Sequence, residues 1–426
     1  MVHVKEMARG AGRLGRCQDR HMRSADPQLA ALGEEARRLQ PRTVALRRAL
    51  HRRPELGLVL PRTRDTVLTA LADLPLDVHE SRTVSSVVGV LDGGRPGPTV
   101  LLRADMDALP LNEDSGLEFR SEIHGAMHAC GHDTHVAMLA TAARLLAGRR
   151  EQMAGRVVLM FQPGEEGFHG ARHMIDEGLL DQHGPGGRPD AAFALHISAT
   201  LPSGEVHTRP GPLMAAADTI KVQVSGRGGH AAAPQDALDP VPAAAAMVGA
   251  LQIALTRRVD PHEPAVLTIG KIVAGTTGNV IPETALLEGT LRTLSEPVRA
   301  QLHEEVRQVC RHTALAHGCS AAVEIEPGYP VTVNDEEAAG RVLSVAAEVL
   351  GHKRVATMPT PATGAEDFSY VLQRVFGALA FLGACPPRVD PRTAPPNHSN
   401  RVVFDESAMA AGAAVYAALA LDALRE

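Results

Sequence analysis

Three short aliphatic runs that end in chemically capable residues constrain this chain more than any other feature. They are "PTVLLRADMDAL" (98–109), "GRVVLMFQPGEEG" (155–167) and "DAAFALHIS" (190–198). A continuous apolar run of this length has no solvent face, so each reads as a strand buried on both sides that runs directly into a polar loop. Helix-compatible stretches such as "THVAMLATAARLLAGRR" (134–150) lie between them. This alternation predicts an α/β fold with a largely parallel central sheet. In such sheets ligands collect beyond the carboxyl ends of the strands, which is where Asp105, Asp107, Glu165, Glu166 and His196 fall.

The pattern changes from about Leu213. "TIKVQVSG" alternates like a half-exposed strand, "DPVPAAAAMVGALQIALTRR" reads as a helix opened by prolines, and "AVLTIGKIVAG" and "TALLEGTLRT" read as further strands. The block predicts a smaller α+β domain of βαββ type inserted at 213–328. Long helices then resume with "EEAAGRVLSVAAEVLG", followed by the buried strand "GALAFLGA" and a closing helix. The expected organisation is a basic tail at 1–27, a catalytic domain in two parts, 28–212 and 329–426, and the insert between them. A chain of 426 residues has the length for two domains.

Composition narrows the partners. With 43 Lys+Arg against 49 Asp+Glu the chain offers no basic surface for a phosphate backbone, and nucleic acid is excluded as a partner. The five cysteines, Cys17, Cys130, Cys310, Cys319 and Cys385, are odd in number and scattered, which points to a reducing cytoplasm rather than to a disulfide framework. The basic N-terminal stretch carries no apolar run of signal-peptide length, and "AMAAGAAVYAALAL" near the other end is too short to span a bilayer, so no membrane association is expected.

The chemistry concentrates in "MHACGHDTHVAM" (127–138). Cys130 and His132 offer a thiolate and an imidazole, both good ligands for first-row metals, with Asp133 and His135 placed to orient them. Alone, such a pair serves equally well as a helix start. "GEEG" (164–167) adds two carboxylates that point in different directions after a buried strand, so that Glu166 can hold a metal while Glu165 reaches a water. Asp105 and Asp107, spaced i, i+2 in "RADMD", fall on one face of a strand end and are expected to support ligands. His196 ends one strand and His398 sits in the loop "PPNHSN". Cys130, His132, Glu166, His196 and His398 exceed the three protein ligands of a single catalytic zinc and suit two divalent ions.

Seven motifs extend this reading: "HRRPELG" (51–57), "LLRADMDALPL" (101–111), "MHACGHDTH" (127–135), "FQPGEEG" (161–167), "GRGGHAAAP" (226–234), "NVIPETALLEGTLRT" (279–293) and "GAEDFSY" (364–370). In this order they resemble the dinuclear-metal aminoacylase and carboxypeptidase family, peptidase family M20, and its amidohydrolase branch of hippurate hydrolases and indole-acetyl-amino-acid hydrolases. The resemblance implies a metallopeptidase-like catalytic domain with a lid and dimerisation domain. It implies that Cys130, His132, Glu166, His196 and His398 bind the metals, and that Glu165 is the general base. It further implies that His230 reaches the partner subunit's active site in a homodimer, and that Asn279 and Arg292 bind the substrate's carboxylate or polarise its carbonyl.

The implied reaction is hydrolysis of an N-acyl amino acid by metal-activated water. Zinc or manganese is the expected metal, with cobalt also accepted by such ligands. A deacetylase of a biosynthetic intermediate, a dipeptidase, or an inactive metal-binding relative are the alternatives. The chain departs from the family pattern at Gly164 and in "HISATLPSG" after His196; neither touches a ligand, so both are expected to bear on substrate fit. The absence of Trp, with 3 Tyr and 8 Phe, suggests an aliphatic rather than an aromatic pocket.

Overall fold

The structure, a computed structural model, describes residues 27–425. The expected N-terminal tail lies outside them except for Pro27, which opens a helix running to His51. Among the described residues an eight-stranded sheet has the spatial order Asp77–Glu80, Val87–Asp92, Ala154–Gln162, Arg95–Asp105, Ala191–Pro202, Gly377–Cys385, Val206–Thr208 and Val355–Thr357. The four strands from Ala154–Gln162 to Gly377–Cys385 are mutually parallel, and antiparallel pairings flank them.

Burial on both faces explains the unbroken apolar runs. Val157, Leu159 and Phe161 face one core while Val158 and Met160 face the other, as the period of two in a strand requires. Helices Pro27–His51, His132–Ala147, Glu336–Leu350 and Ala408–Ala423 cover the first face. The short helices Gly170–Asp176 and Ser369–Leu372 lie on the second. The alanine-rich last helix packs close to its neighbour: a Cβ on Gly412 would meet Met138 Sδ at 2.2 Å. No helix among the described residues is long and apolar enough to cross a membrane.

A second sheet, four-stranded and antiparallel, has the order Ala265–Ala274, Thr284–Thr293, Ala216–Ser225 and Ser320–Pro327. Its helix Pro240–Arg258 starts on Asp239, whose carboxylate accepts from the Val241 N–H at 2.9 Å. The βαββ pattern read from sequence is extended by the helix Glu296–Ala316 and the strand Ser320–Pro327. That helix buries Val298, Leu302, Val306, Cys310 and Ala314, a stripe at helical spacing set among charged residues. The two chain crossings between the sheets run side by side, because Gly211–Met214 pairs antiparallel with Thr332–Asn334.

Candidate metal centre and its cleft

Beyond the carboxyl ends of the parallel strands, local backbone geometry brings the ligand candidates together. Gly131 caps the helix His132–Ala147 with φ 89°, a conformation that lets Cys130 and His132 turn into the same space. A Cβ there would strike Ile197 Cγ2 at 2.4 Å. His398 also has a left-handed backbone, φ 71°, and its N–H donates to the Ala129 carbonyl at 2.9 Å. Asn397 pins the same loop, donating to the carbonyls of Cys130 and Ile197 at 3.1 and 2.9 Å.

Hydrogen bonds fix which ring nitrogens are available. His132 Nδ1 lies 2.9 Å from the Asp107 carbonyl and His196 Nδ1 lies 2.8 Å from the Ile197 carbonyl. A carbonyl only accepts, so both Nδ1 atoms carry a proton and both Nε2 atoms face the cluster. His135 differs: its Nε2 accepts from the Ile197 N–H at 2.7 Å and its Nδ1 donates to Asp105 at 2.5 Å. With both nitrogens used, it braces Asp105 instead of binding metal.

Cys130 sits between two groups of donor atoms, each group lying within 4.8 Å: one with His132 and His196, the other with Glu166 and His398. Its Sγ is 3.4 Å from His196 Nε2 and 3.3 Å from His398 Nε2. Glu166 Oε1 lies 3.2 Å from His398 Nε2. Burial works against ionising Cys130, but the His196 and His132 imidazoles outweigh it and bring the thiol down to about 5. The thiolate is the form that binds metal.

Asp107 clamps the "GEEG" turn, its two oxygens accepting from the N–H groups of Glu165 and Glu166 at 2.9 and 3.0 Å. Glu165 Oε2 is 4.0 Å from His132 Nε2. Burial, together with the Glu366, Glu166 and Asp367 carboxylates, pushes Glu165 well above the usual carboxylate range. Asp133 turns elsewhere: its carboxylate accepts from Arg47 Nε at 2.7 Å and pairs with His51 at 2.8 Å, so it orients no ligand candidate. This departs from the role expected for it, because successive helix residues point in different directions.

The residues fit a pair of cations. His132 Nε2 is buried without a hydrogen-bond partner, which is costly unless a ligand pairs with it. Arg103 bonds Asp105, Glu366 and Asp367 at 2.7, 2.8 and 3.0 Å, so three carboxylates share one guanidinium. That excess of buried negative charge calls for further positive charge.

Sequence reasoning passed over Arg103, Glu366, Asp367 and Tyr329. An arginine inside "LLRAD" was the available signal, since a charge in a buried strand requires partners. All three tyrosines of the chain support this region. Tyr416 O–H donates to the Arg103 carbonyl at 2.6 Å, Tyr329 O–H donates to the Glu165 carbonyl and accepts from Gly167 N–H, and Tyr370 contacts His169.

A cleft of about 1130 Å³ opens above the cluster, lined by both sheets' domains, with Glu165, His196, Ser198, Thr200, Arg292 and Phe381 among its walls. Tyr329 and Phe381 give it an aromatic component beyond the aliphatic lining expected. Gly164 does not line it; with φ 69° it abuts Leu58, whose Cδ2 a Cβ would meet at 2.5 Å, so this position serves packing rather than substrate fit. Arg292 lies in the wall with Nη1 3.4 Å from the Thr363 carbonyl. His230 and Asn279 are exposed and do not line the cleft of their own chain. They adjoin on one small ladder, where His230 pairs with Val280 and the Asn279 carbonyl accepts from Ala231 N–H at 3.1 Å.

A mixed α/β domain with this donor set at its strand ends defines a metal-binding hydrolase. Residues 101–422 match the family described as Peptidase family M20/M25/M40, and the chain belongs to that family. It is 37% identical over 92% of its length to thermostable carboxypeptidase 2 of Saccharolobus solfataricus, covering 97% of that protein. An N-acetyl-L-cysteine deacetylase of Bacillus subtilis is 38% identical over 81% of both chains. Among solved structures, a dinuclear metal binding M20 peptidase of Bacillus subtilis superposes with a TM-score of 0.79 at 30% identity, over 91% of this chain and 99% of that one. The chain is accordingly a hydrolase acting on amide bonds.

Proposed function

We propose that this hydrolase cleaves the amide bond of N-acyl amino acids with two divalent ions held by Cys130, His132, Glu166, His196 and His398. The observation that carries this is the placement of Cys130 in both donor groups, with Glu165 beside them. When bound, such ions supply Lewis acidity and a water of lowered pKa. Glu165 accepts a proton from the attacking water and returns it to the leaving amine. Its backbone is fixed on both sides, by Asp107 at the N–H and by Tyr329 at the carbonyl, which holds the carboxylate in place through turnover. Asp105 and Asp107 set the ligands, and Asp133 stabilises the start of their helix.

Arg292 receives the free carboxylate of the substrate through its paired N–H donors. His230 and Asn279 act on the cleft of a second copy, as a homodimer permits; their exposure on one patch supports this. Four free, buried cysteines among the described residues support a cytoplasmic location. Zinc, manganese and cobalt all suit the donor set.

The test measures amine release from N-acetyl, N-benzoyl and long-chain N-acyl amino acids and from dipeptides, using protein loaded separately with zinc and manganese. Glu165→Gln should lower turnover about 10²–10⁴-fold while metal content is retained. Dipeptides as the sole substrates would make the chain a peptidase, in line with its carboxypeptidase relative. A near-native rate in the variant would remove Glu165 from the reaction.

A further inference from the structure

Among the described residues, two positions other than glycine have a left-handed backbone: His398, a ligand candidate, and His169, with φ 55°. Glycine adopts that conformation without strain and histidine does not, so a side chain kept at 169 against this preference points to a use for it.

Three observations say what the use is. First, His169 is half-buried in the cleft wall. Second, its ring is held on two sides. It packs edge-on to Tyr329, with centroids 4.9 Å apart at 89°, and its Nδ1 lies 2.9 Å from the Tyr370 hydroxyl. Burial raises Tyr370 above its ordinary value, so the phenol keeps its proton. With the Tyr370 hydroxyl donating to His169 Nδ1, Nε2–H is left as a donor with no partner among the described residues. Burial and the nearby Arg172 and His173 lower His169, so the ring is neutral.

Third, His169 and Arg292 line the same cleft and are linked through Tyr329. Arg292 is paired across the second sheet with Ala217, the Ala217 N–H donates to the Tyr329 carbonyl at 3.2 Å, and Tyr329 abuts His169. The Tyr329 hydroxyl marks the position of Glu165, whose carbonyl it holds. A substrate with its carboxylate on Arg292 and its scissile amide by Glu165 has His169 within the same cleft to meet its acyl group.

We propose that His169 is a specificity residue whose Nε2–H donates to an acceptor oxygen carried by the acyl group, so that the enzyme favours oxygen-bearing acyl chains over plain aliphatic ones. This rests on the N-acyl amino acid reading for the orientation of the substrate.

The test compares N-(4-oxopentanoyl)-glycine with N-pentanoyl-glycine, which differ by one carbonyl oxygen at equal chain length. The wild-type protein should favour the first about three- to tenfold in kcat/KM, the worth of one neutral hydrogen bond. His169→Gly should bring that ratio close to one with a thermal midpoint unchanged or raised and metal content retained. His169→Phe keeps a ring against Tyr329 and removes both nitrogens, and should also abolish the preference. The same ratio read as binding by calorimetry separates the two readings. Absence of turnover with a His169-dependent binding preference defeats the reaction assignment alone. A wild-type ratio near one in both readouts, or a preference that survives in either variant, overturns the role of His169.

Discussion

Beneath the floor of the cleft Arg103, Asp105, His132 and His135 are at most 1% exposed, and most of their polar atoms have hydrogen-bond partners. On the inserted block, the His230 and Asn279 side chains are exposed and bond only to residues two positions away, and the Arg292 side chain makes a single long contact to a carbonyl. The floor is organised by burial. A carboxylate taken out of water must be met by a fixed donor, so each group there holds its neighbours in place. The block is organised by its own core of Ile220, Val222, Leu287, Leu302 and Val306, which leaves its cleft-facing side chains free of internal obligations.

The contrast can be broken most sharply at Cys130. If its sulfur serves both donor groups, Cys130→Ser should lower the affinity for both ions by more than about 100-fold, exceeding the 10–100-fold attached to outer-shell partners. His398→Ala should empty one position and leave the other filled. Metal content per chain after dialysis reads the difference, and equal losses in the two variants would show that Cys130 is not shared.

A smaller effect tests whether the block owes anything to buried charge. Asp218, 2% exposed, accepts from Arg299 at 2.5 and 2.9 Å and pairs with His303 at 2.6 Å where the strand Ala216–Ser225 meets the helix Glu296–Ala316. Burial pushes its carboxyl up, but hydrogen bonds from His303 and Arg299 prevail and hold it down to about 2, against 3.8 when unfolded. A depressed folded value contributes stability above the unfolded one and loses it as pH falls, so this contribution should fade between pH 3.8 and about 2. Asp218→Asn should cost about 3 kcal/mol at neutral pH, since it leaves Arg299 without its partner, and should flatten that acid limb in denaturant titrations. An unchanged limb would leave the block's stability to its apolar core.

The smallest expected effect is at Arg292. Arg292→Lys keeps the charge and loses the planar pair of donors, so KM for carboxylate-bearing substrates should rise about tenfold with little change in kcat or metal content. A fall in kcat with KM unchanged would move Arg292 from binding the carboxylate to stabilising the transition state.

Periodicity and length, both local properties, carried the sequence reading a long way. The both-face burial of the central strands, the alternation of the strand Ala216–Ser225 and the proline-opened helix Pro240–Arg258 are each written in a few consecutive residues. The donor types at 130, 132, 165, 166, 196 and 398 were legible for the same reason. Three things were decided only by tertiary structure. Asp133 turned to Arg47 and His51, because the neighbour a helix residue meets is supplied by distant chain. Arg103 gathered Asp105, Glu366 and Asp367, joining segments more than 260 residues apart through a charge that cannot be buried alone. The available nitrogen of each imidazole followed from which carbonyl lay within reach of the other nitrogen, a fact of distance in the folded chain and not of sequence spacing.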